Sequence, residues 1–254
     1  MQKRFENKVG IITGAGAGIG LEIATQLNGE GASLVVNDID EQVLSASFSS
    51  NEQLVTIAGD AGDVNHIEEL VTRAVHEFGK LDFVIANAGK TGFGNFFDFT
   101  EQQFVEVMNL NQRGAFFLAQ AAARQMRVQG QGGRILLISS VLGVQAYPHL
   151  TAYAMSKAAL IMMARNLVIE LSPYQITINC LAPGATVTPR TTAEEVDYAK
   201  TWSSLIPIGD ACEPSDIAPL ALFILSDQAS HITGQNIVID GGWTSVSKYP
   251  APPT

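Results

Sequence analysis

The sequence predicts an α/β protein built on one doubly wound parallel sheet of about seven strands with helices on both faces. Three observations carry this. Short β-branched runs recur at 9–13, 33–37, 54–58, 82–87, 134–139, 176–182 and 236–240. They are apolar without the polar alternation of a half-exposed strand, the pattern of a strand covered on each side. Segments of helical periodicity separate them, which calls for βαβ crossovers. The alternation persists to residue 240 with no linker, so the 254 residues are expected to form a single domain.

The first run, "VGIIT", leads straight into "TGAGAGIG" (13–20) and then a helix, "IGLEIATQL". Glycines at a strand-to-helix turn let backbone N–H groups approach a pyrophosphate at the positive end of the helix. That context predicts a nucleotide cofactor and a Rossmann-type sheet. The second run ends in Asp38, about twenty residues on, where a carboxylate accepts from both adenosine ribose hydroxyls and repels a 2′-phosphate. Asp38, together with Ala17 in place of a basic residue in the loop, favours NAD over NADP. Asp38 can also cap the following helix, a role Asp40 fills equally well.

After the fourth run comes "KTGFGNFFDFT" (90–100), a Gly- and Phe-rich segment. The helical "FVEVMNLNQRGAFFLAQAA" that follows contains Asn111, a poor helix former that needs a partner if buried, and otherwise marks a surface position or a kink. The fifth run ends in Ser140, a turn residue or a hydroxyl aimed at a ligand. "TAYAMSKAAL" then places Tyr153 and Lys157 four apart on one face of a helix. An ammonium beside a phenol lowers a pKa that is otherwise near 10, which makes the tyrosine usable as a general acid/base. The sixth run opens the long segment 185–214 ahead of a helix starting near Pro214. Both long segments follow strands, at the sheet end where such folds bind ligands. The tail "KYPAPPT" is expected to be a loosely ordered terminus.

Composition narrows the partners. Hydrophobic residues at 46% and charged residues at 16% exclude a disordered chain. Fifteen basic against twenty-five acidic side chains give −10, which opposes a nucleic-acid partner. Cys180 and Cys212 form no CxxC, and the four histidines lack zinc-ligand spacing, so no metal is expected. No apolar run approaches the roughly 18 residues of a membrane span and no signal-peptide pattern opens the chain, so a cytoplasmic protein is expected.

The glycine loop, "ANAG" at 86–89, Asn111, Ser140, Tyr153-x-x-x-Lys157 and "PGATVT" at 183–188 together resemble the short-chain dehydrogenase/reductase family in order and spacing, over nearly the whole chain. The resemblance implies that Tyr153 is the catalytic acid/base, that Lys157 lowers its pKa and binds the nicotinamide ribose, and that Ser140, more than Ser139, polarises the substrate oxygen. It implies that Asn111, three residues before Gly114, holds a water linking Lys157 to solvent. Gly14, Gly18 and Gly20 correspond to the pyrophosphate loop, with the Ile19 amide a phosphate donor. Asp60 and Ala61 lie at the adenine and Asn87 at its ribose. Pro183 and Gly184 open the segment over the nicotinamide, with Thr186 and Thr188 bonding its carboxamide and a phosphate. Two departures stand out: Ala86 replaces the first asparagine of "NNAG", and Asp210 stands where relatives often carry arginine, so no ionic contact is carried over there.

The implied reaction is reversible hydride transfer between NAD and a secondary alcohol or ketone. A polyol, sugar or cyclic alcohol is the leading substrate class, a 3-oxoacyl thioester the alternative, and a non-catalytic NAD sensor the reading from another class. The substrate pocket is expected between residues 90–97, 141–149 and a lid at 189–207 with Trp202 and Leu205. Phe93, Phe96, Phe97 and Tyr147 are its candidate apolar contacts, and Lys90, Gln145 and His149 its polar ones. The resemblance also implies a homotetramer.

Overall fold

Seven strands run parallel in the order β3-β2-β1-β4-β5-β6-β7, with the order reversing between β1 (Val9–Thr13) and β4 (Phe83–Ala86). The computed structural model describes residues 3–48 and 51–246; the tail after Val246 falls outside them. The remaining strands are β2 (Ser33–Asp38), β3 (Leu54–Ala58), β5 (Gly133–Ile138), β6 (Ile176–Pro183) and β7 (Asn236–Ile239). All seven expected runs are strands, displaced by at most a residue or two at their ends.

Side-chain alternation divides the central strands between two cores. Ile11, Val35, Val84, Ile135 and Ile178 pack under α3 (Val64–Phe78), α5 (Ala115–Gln129) and α6 (Thr151–Leu171). Their neighbours Ile12, Leu34, Val36, Ile85, Leu136 and Leu181 pack under α1 (Gly18–Gly29) and α9 (Pro214–Leu225) on the opposite face. Both faces are covered, which is why the runs lack polar alternation. Cys180 and Cys212 are buried free thiols, and burial pushes Cys180 up to about 12.

Helix starts follow local chemistry. Asp40 caps α2 (Glu41–Ser47) by accepting from the Gln42 and Val43 amides, so that helix does not use Asp38. Asp63 caps α3, and Thr100 with Gln103 forms a capping box on α4 (Glu101–Met108). By contrast, α1 begins at Ala17 with no side-chain cap and no acidic residue in its first turn. Its first amides have no partner within the helix.

The helix expected to run through Asn111 is interrupted by a π-turn, Asn109–Gly114, between α4 and α5. The segment 185–214 forms two short helices, α7 (Pro189–Glu194) and α8 (Tyr198–Ser203), seated through Trp202 and Ile206 on Ala185. Among the described residues, no helix is long and apolar enough to cross a membrane, and no cluster of three potential metal ligands occurs.

Candidate active site

A cavity of about 1020 Å³ opens at the carboxyl ends of the strands, beside the reversal of strand order. A single small-molecule site occupies roughly 300–1,000 Å³, so this one has room for a cofactor and a substrate together.

One end of the cavity is the glycine loop. Gly14 and Gly18 have φ of +64° and +57°, and a Cβ on Gly14 would lie 2.8 Å from the Ala88 backbone. The Asn87 carboxamide donates to the carbonyls of Thr13 and Gly14 at 3.0 and 2.8 Å, pinning the loop to the end of β4. Gly14, Gly18 and Ile19 line the cavity; Gly20 does not. A Cβ on Gly20 would collide with the Gly14 carbonyl, so that glycine serves the close packing of loop on helix. The uncapped amides of α1 and its positive end suit a pyrophosphate. Asp38, at the tip of β2, accepts from the Gly16 amide at 2.9 Å. That bond holds one carboxylate oxygen against the loop and leaves the other for a ribose. Asp60 accepts from the Gly62 amide at 2.8 Å and lines the same end with Ala61. Asn37 is fully buried beside them, with no partner for its carboxamide oxygen. The residues present therefore fit a dinucleotide.

At the other end stand Ser140, Tyr153 and Lys157. Lys157 is 4% exposed, and its Nζ donates to the Ile138 carbonyl at 2.7 Å. Burial lowers its pKa to about 8, helped by the nearby Arg190 charge. Tyr153 departs from expectation: its pKa is raised, because burial outweighs the opposing Arg190 charge and the Ser140 hydroxyl. Lys157 donates to Ile138 and lies 5.6 Å from the phenol ring centre, and the Arg190 charge opposes the effect of burial on the phenol. The Ser140 Oγ also accepts from the Leu142 amide, whereas the Ser139 hydroxyl donates to the Lys157 carbonyl, and both serines line the cavity.

Asn111 is 1% exposed and explains the π-turn. Its carboxamide accepts from the Lys90 amide and donates to the Lys90 carbonyl, both at 2.9 Å, and donates to Ser156 at 3.0 Å. It thereby ties the end of β4 to α6. A Cβ on Gly89 would lie 3.3 Å from Asn111 Oδ1 and 3.4 Å from Lys157 Nζ, so the two polar atoms flank the same glycine.

Pro183, Gly184, Thr186 and Thr188 line the cavity. Gly184 has no room for a side chain against Asp240, whose Cβ would be 2.7 Å away. The Thr186 hydroxyl donates to the Gly184 carbonyl at 3.0 Å, and Thr188 caps α7.

The substrate side differs in composition from the expectation. Phe93, Tyr147 and Trp202 line the cavity, whereas Phe96 and Phe97 meet edge-on in solvent at 73% and 89% exposure. Lys90 is ion-paired to Glu106 at 2.7 Å, and Gln145, His149 and Leu205 lie off the lining. Their places are taken by Arg190, Glu194 and Tyr198 of the segment 189–207 and by Trp243. Trp243 follows the last strand, and nothing local in the sequence marks it. Arg190 carries one legible signal, a cation at the N-terminal turn of a short helix, where the helix dipole gives it nothing.

Known proteins resemble this chain in sequence and fold. Residues 14–244 match a family profile described as enoyl-(acyl carrier protein) reductase. Versicolorin reductase stcU of Emericella nidulans is 37% identical over 94% of this chain and 96% of its own. L-rhamnose 1-dehydrogenase (NAD(P)(+)) of Azotobacter vinelandii is 32% identical over 93% and 96%. The crystal structure of levodione reductase superposes with a TM-score of 0.90 at 30% identity, covering 96% of this chain and all of that one. With relatives this similar along almost its full length, the chain belongs to the short-chain dehydrogenase/reductase family, oxidoreductases that use a nicotinamide cofactor.

Proposed function

We propose that the protein catalyses reversible hydride transfer between NAD and a secondary alcohol or ketone in a single catalytic domain. The observation that carries this reading is one cavity joining the glycine loop and Asp38 at one end to Ser140, Tyr153 and Lys157 at the other. The bound cofactor supplies or accepts the hydride. The α1 amides, including that of Ile19, would take the pyrophosphate, and Asp38 the adenosine ribose, which favours NAD. Asp60, Ala61 and Asn87 would hold the adenosine half. Pro183, Gly184, Thr186 and Thr188 would seat the nicotinamide half.

Tyr153 moves the proton at the substrate oxygen, and Ser140 donates a hydrogen bond to the same atom. Lys157 holds a positive charge beneath them, and Asn111 fixes the backbone at Lys90 around it. The second lone pair of Asn111 Oδ1 is available to a water that carries the proton from Lys157 outward.

Tyr147, Tyr198, Trp202 and Trp243 give the substrate end an aromatic wall, which favours a cyclic alcohol or ketone over an open-chain polyol. A sugar stays in the test because of the rhamnose dehydrogenase relative. A 3-oxoacyl thioester reductase is the second reading, favoured by the acyl-carrier wording of the matched profile and opposed by the charge of −10, which repels an acidic carrier. The segment 189–207 acts as the lid. The chain works in the cytoplasm as a homotetramer, a reading supported by the exposed Phe104, Phe116, Met155 and Met162 on α4, α5 and α6.

The test is absorbance at the reduced-nicotinamide band with NAD or NADP against secondary alcohols, cyclic alcohols, sugars and hydroxyacyl thioesters. Turnover with NAD on a cyclic alcohol is expected. Nucleotide binding without turnover on any class would leave the sensor instead.

A further inference from the structure

The cavity contains two cations among the described residues, Lys157 and Arg190. Lys157 is bound to Ile138. The exposed Arg190 side chain makes no ion pair and no hydrogen bond to any described residue. The two lining carboxylates nearest it in sequence are hydrogen-bonded to hydroxyl groups rather than ion-paired with it. Glu195 accepts from the Thr201 hydroxyl at 2.6 Å, and Glu194 lies 3.4 Å from the Thr91 hydroxyl.

The direction of Arg190 follows from helix geometry. Residues 190 and 194 are four apart and share a face of α7. Glu194 on that face meets Thr91, in the segment 90–100 on the substrate side. Thr188, before the helix, is the residue that reaches the glycine loop: a Cβ on Gly18 would lie 3.1 Å from its methyl group. Arg190 therefore looks toward the substrate end, where its charge acts on Tyr153, Lys157 and Tyr198.

The aromatic wall adjoins it. Trp202 stacks on Tyr147 at 5.9 Å and 28°, and meets Trp243 edge-on at 5.0 Å. A flat apolar surface beside one uncommitted guanidinium suits a ring that bears an acidic group. Arginine is a fork of donors matched to a carboxylate.

Resting on the oxidoreductase reading above, we infer that the substrate is a cyclic ketone or secondary alcohol carrying a carboxylate, and that Arg190 pairs with this carboxylate. In a protein of net charge −10 the long-range field repels such a substrate, so the local guanidinium carries the recognition.

The experiment compares 3-oxocyclohexanecarboxylate with its carboxamide, a neutral molecule of nearly the same shape, in the wild-type protein, R190Q and R190K. The readout is the ratio of the two kcat/KM values, together with the dissociation constant for NADH. The wild type should favour the acid by about tenfold to a hundredfold, the value of a hydrogen-bonded charge pair. R190Q should bring the ratio to about one with NADH affinity unchanged, and R190K should retain part of it.

Arg190 also acts on the Tyr153 phenol, so R190Q should slow both probes and shift both pH profiles alike, which cancels in the ratio. A wild-type ratio near one, or a ratio that R190Q leaves intact, overturns the inference. Equal losses on both probes with weakened NADH binding would make Arg190 a cofactor clamp and overturn it too. Absence of turnover on both probes and on every alcohol and ketone of the wider panel would remove the oxidoreductase reading itself, and the inference with it.

Discussion

Lys157 Nζ lies 5.6 Å from the centre of the Tyr153 ring and spends a hydrogen bond on the Ile138 carbonyl. The ammonium is thus a charge held below the phenol by the strand it is tied to. Tyr153 keeps a pKa above the ordinary tyrosine value, with burial as the first cause. Alcohol oxidation needs the phenolate, so its rate should rise with pH through the alkaline range, and ketone reduction, which needs the phenol, should fall there. Tyr153→Phe should remove about 10²–10⁴-fold of turnover, the usual worth of a positioned acid/base, with nucleotide binding retained. Stopped turnover together with lost nucleotide binding would mean a folding defect; turnover near wild type would exclude Tyr153 as the acid/base.

Lys157 also makes stability depend on pH. Its pKa falls from 10.5 unfolded to about 8 in the fold, so the charged form is disfavoured by folding. The cost is fully present below about pH 8 and is lost as pH rises toward 10.5, because there the unfolded chain binds the proton that the fold has released. At about 1.36 kcal/mol per pKa unit the whole effect is roughly 3 kcal/mol. Lys157→Met deletes the titration and also orphans the Ile138 carbonyl, a loss that does not depend on pH. Urea unfolding of both proteins should therefore show the wild type gaining roughly 2–3 kcal/mol on the variant between pH 7 and pH 10. A constant difference across that range would show that Lys157 stays fully charged in the fold.

Asn111 is expected to be structural as well as functional. Asn111→Ala leaves the amide and the carbonyl of Lys90 without their partner, in a place where the deleted side chain was buried. Each of the two stranded backbone groups costs about 1–3 kcal/mol, so the urea midpoint should fall by an amount equivalent to roughly 2–6 kcal/mol. Activity should fall further than stability, at temperatures where the variant is fully folded. A variant as stable as the wild type would mean that water replaces the carboxamide.

The sheet was legible because burial on both faces writes apolar runs that need no long-range information to read. The glycine loop and the Tyr153–Lys157 pair were legible because one turn and one helix face contain them. What stayed hidden depends on partners distant in sequence. The π-turn at Asn109–Gly114 follows from Asn111 clasping Lys90, 21 residues earlier, and a local pattern shows only a helix with an awkward asparagine. Phe96 and Phe97 share the composition of pocket residues, yet the turn that holds them aims both at solvent. Trp243 reaches the cavity only because β7 ends beside the segment 189–207.

On the proposed reading, Asp38 carries the choice between NAD and NADP. Its carboxylate is set by the Gly16 amide, and asparagine can accept the same bond, so Asp38→Asn should leave stability within about 1 kcal/mol. Removing the charge lifts the repulsion of a 2′-phosphate, and the ratio of kcat/KM for NAD over NADP should drop at least about tenfold, a change of roughly 1.4 kcal/mol. An unchanged ratio would place the discrimination elsewhere in the loop.

Trp202 should separate lid from sheet. The helices α7 and α8 have six residues each, far below the roughly 12–15 at which a helix holds itself in water, so their order rests on tertiary contacts. Those contacts centre on Trp202, which is 8% exposed and touches Tyr147, Tyr198 and Trp243. Trp202→Ala removes several aromatic contacts worth about 0.5–1.5 kcal/mol each, beyond the area they bury. The two cores under the sheet contain none of these residues. The variant should therefore keep its global unfolding midpoint while residues 189–207 become the first site of limited proteolysis. KM for a ring substrate should rise about tenfold or more, with the NADH dissociation constant within about twofold of wild type. A fall of about 3–5 kcal/mol in global stability, the usual cost of emptying a core tryptophan site, without new cleavage in the lid would instead make Trp202 part of the domain's main core.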